Sequence, residues 1–175
     1  MVVGDPKKMP GTIEILVCSL KMICVRGCLI FLKDHEAGTP VGYARAHRTA
    51  VPTRIATMPI GYDDGYPYSL SGRAWVLVRG QRAPVVGRVS MDYTTIDVGH
   101  IPGVRVGDTV TLVGRDDEDE IRMTDLARWA GTIPYEIPCR LGRRVARLYR
   151  PDETVPEPVP ATVVAVPDAT VTTVP

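Results

Sequence analysis

Lysine and phenylalanine are scarce in this sequence: 175 residues contain 4 Lys against 17 Arg, and one Phe against seven Tyr. Acidic and basic residues nearly balance, leaving a formal net charge of +1. A field this weak gives neither nucleic acid nor an anionic membrane a reason to bind. Histidine is scarce too: His35, His47 and His100 fall in no ligand or triad spacing, and Ser90 lacks the Gly-x-Ser-x-Gly surroundings of a hydrolase nucleophile. Cys18, Cys24, Cys28 and Cys139 make no C-x-x-C pair and have no neighbouring His to complete a zinc motif. No metal is expected, and the thiols read as reduced, as in a cytoplasmic protein.

Long uninterrupted apolar runs are also lacking. The stretch 13–32 approaches the length of a membrane span but is broken by Glu14, Lys21, Arg26 and Gly27, and no small-residue cleavage site closes it. Neither a membrane segment nor a signal peptide is expected.

What is present divides by composition. An apolar leader of uncertain structure covers 1–28, one domain of ordinary size covers 29–150, and a tail rich in Pro, Val and Thr covers 151–175. The tail has too few large side chains to offset its ordering entropy, so it is expected to be disordered. In the central block short β-branched segments at 54–60, 75–78, 84–90, 93–98 and 108–114 alternate with turn residues, which predicts an all-β fold, a small barrel or sandwich-like domain. Arg79-Gly80 predicts a hairpin, as does the pair Pro102-Gly103 with Gly107-Asp108. Pro84 predicts an edge or a bulge for its strand. One short helix is predicted between a Thr124 cap and Gly131, with Leu126, Trp129 and Ala130 on its apolar face. The run Asp116-Asp117-Glu118-Asp119-Glu120 lacks calcium-loop spacing and reads as a solvated hairpin tip.

Tyrosine carries the chemical signal. Tyr43 stands in Val41-Gly42-Tyr43-Ala44-Arg45, Tyr62 and Tyr66 in Ile60-Gly61-Tyr62-Asp63-Asp64-Gly65-Tyr66, and Tyr135 in Thr132-Ile133-Pro134-Tyr135-Glu136. Between them lies Ala83-Pro84-Val85-Val86-Gly87-Arg88-Val89-Ser90-Met91-Asp92. In this order and at these separations the strings resemble the C-terminal β-domain of the pyridoxal-phosphate-dependent alanine racemases, from about Leu29 to Arg150.

The resemblance implies a two-base interconversion of L- and D-alanine held as an imine on pyridoxal 5'-phosphate. Tyr43 matches the base for L-alanine, reaching into the site of a partner subunit. Met91 matches the residue whose backbone amide holds the substrate carboxylate, Tyr62 a tyrosine lining the narrow entrance, and Tyr135 the donor to the cofactor phosphate. Arg147 matches an arginine near that entrance. A final strand is implied where Leu141, Val145 and Leu148 would otherwise suggest helical spacing. The family commonly has Ser before the catalytic tyrosine and Gly after it, where this sequence has Gly42 and Ala44, and it often has Cys at the place of Ser90.

The second base of the family is a lysine in an N-terminal barrel, which needs roughly 200 residues or more. None of Lys7, Lys8, Lys21 and Lys33 stands in a comparable string. The sequence therefore carries half of such a site and is expected to be inactive alone. Its expected partner is a barrel domain or second subunit, with self-association or a homo-oligomer. The alternative is a non-catalytic β-barrel interaction module presenting the arginines between 140 and 150.

Overall fold

The computed structural model describes residues 14–18 and 22–150. The expected disorder of 151–175, and most of the leader, lie outside these residues. The described chain is all-β with two short helices, in the order β1 (Glu14–Cys18), β2 (Met22–Cys28), β3 (Phe31–His35), β4 (Pro40–Val41), β5 (His47–Arg48), β6 (Thr53–Met58), β7 (Trp75–Val78), β8 (Gln81–Val86), β9 (Thr94–Asp97), β10 (Thr109–Asp116), β11 (Asp119–Ile121), α1 (Met123–Ala130), α2 (Glu136–Arg140) and β12 (Ala146–Arg150). The main sheet runs β12-β1-β2-β10-β7-β8-β9-β6-β3, with β11 added on β10 and a separate two-stranded β4-β5 ribbon. All pairings are antiparallel except β1 with β12. The sheet is open, because no pairing joins β12 to β3 among the described residues.

Several turns follow from local chemistry. Val78 pairs with Gln81, so Arg79 and Gly80 are the two central residues of the β7-β8 hairpin, at φ 52° and 72°. Two positive φ angles define the turn whose twist matches right-handed strands. The acidic run is a hairpin tip as expected, because β10 and β11 pair on either side of Asp117 and Glu118. Pro84 is not on an edge strand; β8 lies between β7 and β9. It is tolerated because β9 pairs only with Val85 and Val86, leaving Pro84 with one registered neighbour, Trp75.

Three further readings change. The segment 99–108 is a connection, not a hairpin, since β9 pairs with β6 and β8 while β10 pairs with β2 and β7. Buried Ile101 and Val104 pin that connection to the core, a nonlocal effect that turn residues do not report. Helix α1 starts one residue before Thr124: Arg122 is its N-cap, and Asp125 Oδ2 accepts the Arg122 amide at 3.0 Å. Its end is as expected, with Gly131 left-handed at φ 74°. A second helix, α2, follows it. In the stretch before Leu29, whose structure the sequence left open, β2 lies in the sheet beside β10, with Val25 in the core. The stretch after α2 forms a strand from Ala146 on, as the resemblance implied, because Leu141 and Val145 are drawn into the core separately.

The core spans the sheet's inner face. Met58, Val76, Val78, Ile96 and Leu112 are buried together with Leu70, Leu126 and Ile137 from the connections. Burying a side chain of this size contributes about 1.5–3 kcal/mol. These connections are thereby fixed on one scaffold, and they carry the tyrosines.

Candidate active site

Tyr43 begins a single 3-10 turn, Tyr43–Arg45, on the loop between β4 and β5. The loop is anchored by Val41, which packs on Ile55 and Val86 in a small separate cluster. Gly42 takes φ 73° and lies over Gly87 and Arg88; a Cβ there would stand 3.5 Å from the Arg88 amide. Ala44 and Arg45 are also left-handed, at φ 58° and 51°. Such conformations cost a non-glycine residue roughly 1 kcal/mol or more each. The exchange of a family glycine for Ala44 therefore places strain directly beside Tyr43. The Tyr43 side chain is 71% exposed, and its hydroxyl has no partner among the described residues.

Tyr62 and Met91 are brought together by backbone. Tyr62 N donates to Ser90 O at 3.0 Å and Asp63 N to Met91 O at 3.1 Å. Gly61 permits this approach, because a Cβ there would fall 2.2 Å from Met91 O. Ser90 folds the other loop: its Oγ donates to Tyr93 O and accepts from Tyr93 N, both at 2.9 Å. Met91 and Asp92 thus sit at the tip of a closed turn. The Met91 N–H meets no acceptor among the described residues.

Tyr135 is the N-cap of α2 and is 81% exposed, again with no hydroxyl partner among the described residues. At the other end of α2, Arg140 lines a cavity of about 470 Å³ with Tyr62, Gly65, Pro67 and Tyr68. A second cavity, of about 410 Å³, holds Tyr68, Arg88 and Gly87 with His47 of the β4-β5 ribbon. Tyr68 borders both and accepts a hydrogen bond from Arg88 Nη1. The four expected site residues do not line one cavity, and no hydrogen bond links Tyr43 or Tyr135 to Tyr62 or Met91 among the described residues. Arg147 is turned to the Leu141 carbonyl, at 2.7 Å.

Three features escaped the sequence. Tyr66 is 2% exposed with no partner for its hydroxyl among the described residues, and burial pushes that phenol well above its ordinary value. Tyr68 and Arg88 pair across 20 residues. Arg144 binds Asp63, Asp64 and Asp92 at once; its hydrogen bond to Asp92 is the largest of the effects that hold its guanidinium firmly charged. Nothing local marked Arg144 among 17 arginines.

Among the described residues no helix is long and apolar enough to cross a membrane, and no three His, Cys, Asp or Glu residues group to hold a metal.

Residues 22–149 match the family described as alanine racemase, C-terminal domain. The chain belongs to that family. Alanine racemase of Syntrophobacter fumaroxidans is 54% identical over 115 residues, 66% of this chain and 31% of the relative. Alanine racemase of Geobacter sulfurreducens is 52% identical over 128 residues, 71% and 33% of the two chains. Among solved structures, alanine racemase of E. faecalis superposes with a TM-score of 0.70 at 38% identity, over 73% of this chain and 34% of that one. The Bartonella henselae alanine racemase, with covalently bound pyridoxal phosphate, gives 0.69 at 33% identity, over 73% and 35%. The chain thus spans about a third of the length of the curated relatives it matches. Within the alanine racemase domain, the strings around Tyr43, Tyr62, Met91 and Tyr135 all fall inside the matched residues.

Proposed function

We propose that this chain supplies the β-domain half of an alanine racemase site, with Tyr43 as the base that exchanges the Cα proton of L-alanine. The observation that carries the reading is the state of Tyr43: an outward phenol without a partner among the described residues, on a left-handed turn docked against the Gly87-Arg88 segment that leads to Met91. A side chain held this way by a strained backbone, and bonded to none of the described residues, is fitted to act on something outside the domain.

The other residues divide the remaining tasks. The open Met91 amide, at the tip of a closed turn, would hold the substrate carboxylate. Tyr62, fixed to the same turn through Ser90, would narrow the approach; Arg140 across the cavity is already paired with Glu136. A carboxylate bound to a fixed N–H presents Cα at a fixed distance, which is what proton transfer to Tyr43 needs.

The donor set suits pyridoxal phosphate in part. The exposed Tyr135 phenol is a donor on a rigid ring and would hold the phosphate. When bound, the cofactor acts as an electron sink that lowers the acidity demanded of Cα. Among the described residues no lysine stands at this place: Lys33, the one lysine described, is on β3 at the edge of the sheet. The partner implied is a barrel domain or second subunit that brings that lysine.

Complementation tests the reading. The chain co-expressed with a separate barrel domain of an alanine racemase, in the presence of pyridoxal phosphate, should convert L-alanine to D-alanine, while the chain alone should not. A stable complex that racemises nothing would refute the reading.

A further inference from the structure

Arg144 stands in the link between α2 and β12, outside every element. Each of its three guanidinium nitrogens meets a different carboxylate: Nε to Asp64 Oδ1 at 2.9 Å, Nη1 to Asp92 Oδ1 at 2.7 Å, and Nη2 to Asp63 Oδ2 at 3.2 Å. Asp63 and Asp64 follow Tyr62, and Asp92 follows Met91. One cation therefore joins the two loops from a third segment.

Asp64 is the pivot of this arrangement. Its side chain is 3% exposed, whereas that of Arg144 is half exposed. The second oxygen of Asp64 accepts the Gly61 amide at 2.9 Å, closing the turn that presents Tyr62. Its backbone carbonyl accepts the Gly142 amide at 3.0 Å, so the link bearing Arg144 is tied to the same turn. The Tyr62 turn is held from one side by Ser90 and Met91 and from the other by Gly142 and Arg144.

The charge count is not what stability alone favours. One carboxylate would neutralise Arg144, and gathering three around it leaves two uncompensated negative charges in one place. Among the described residues no second cation meets Asp63, Asp64 or Asp92. What the arrangement does provide is geometry. A planar fork that donates from Nε to Asp64 and from Nη1 to Asp92 fixes these two acceptors relative to one another, which a point charge cannot do, while Asp63 adds an ion contact.

We propose that Arg144 is a positioning residue, a clamp with hydrogen-bonded arms to Asp64 and Asp92 that makes the Tyr62 turn and the Met91-Asp92 loop one rigid body. What the clamp positions, an entrance tyrosine against a carboxylate-binding amide, rests on the racemase reading given above; the clamp itself does not.

The test is amide hydrogen exchange on the full chain carrying Arg144→Lys, with Asp92→Ala as a second variant that removes one arm without stranding the buried Asp64 charge. The Tyr62 and Asp63 amides, which donate across the loop junction, should exchange about tenfold faster in both variants, while amides of β7 and β8 keep their wild-type rates. Unchanged exchange at Tyr62 and Asp63 would overturn the clamp. A uniform rise that includes β7 and β8 in both variants would overturn it equally, as the mark of a merely stabilising ion pair. In the complemented enzyme, Arg144→Lys should raise the KM for alanine about tenfold and lower kcat less than about threefold. Faster local exchange with an unmoved KM would leave the clamp standing and overturn the role given to Met91.

Discussion

Asp63 and Met91 are joined through their backbones: the Asp63 amide donates to the Met91 carbonyl at 3.1 Å, one residue beyond the bond from Tyr62 N to Ser90 O at 3.0 Å. Two loops far apart in sequence therefore present their side chains from a common base. The residue that allows it is Gly61, whose hydrogen faces the Ser90 and Met91 carbonyls at a distance no Cβ tolerates.

Gly61→Ala should force these loops apart. Both obstructing atoms are backbone oxygens and cannot swing away, so a loss of about 1–3 kcal/mol is expected, the range for overpacking a tight site. Urea denaturation of the variant checks this. An unchanged midpoint would mean that the junction is looser than 2.2 Å implies.

Ala44 should be improvable. At φ 58° it occupies a conformation that glycine adopts freely. Ala44→Gly should raise stability by roughly 0.5–1 kcal/mol, the relief of left-handed strain exceeding the extra freedom given to the unfolded chain. A thermal melt reads the change directly, and a lower Tm would show that the turn is not strained.

Tyr66 makes stability fall at high pH. Burial raises its phenol above the ordinary value of 10.0, so the folded chain keeps that proton where the unfolded chain releases it. The contribution is fully present below pH 10.0 and is lost as pH rises beyond it. Tyr66→Phe also removes a buried hydroxyl with no partner among the described residues and should be neutral or stabilising by about 1 kcal/mol at neutral pH. Denaturation at neutral and strongly alkaline pH should show a shallower alkaline decline for the variant; parallel curves would speak against a buried, neutral phenol.

The loops of the candidate site expose Tyr43, Tyr62, Met91, Ile133 and Tyr135. Under the proposed function a barrel partner would cover these side chains. Self-association at micromolar concentration is expected, weakened when a barrel domain is added. A clean monomer by sedimentation, before any partner is present, would contradict it.

Much of this was legible in the sequence where the determinants are local. Arg79-Gly80 between β-branched runs specifies its hairpin, and Gly131 specifies the end of α1. The tyrosines stood out because glycine and proline flank them. Where determinants are nonlocal, the sequence was silent. Nothing near 99–108 told that β10 would pair with β2 and β7 instead of β9. Arg144 finds Asp64 and Asp92 across 80 and 52 residues, and only the fold makes them neighbours.

The most direct test of the role given to Tyr43 separates the two protons. In heavy water, with the chain complemented by a barrel domain and pyridoxal phosphate, Tyr43→Phe should abolish deuterium incorporation at Cα of L-alanine while D-alanine still exchanges, because the partner's base remains. Undiminished exchange of L-alanine in Tyr43→Phe would contradict the assignment outright.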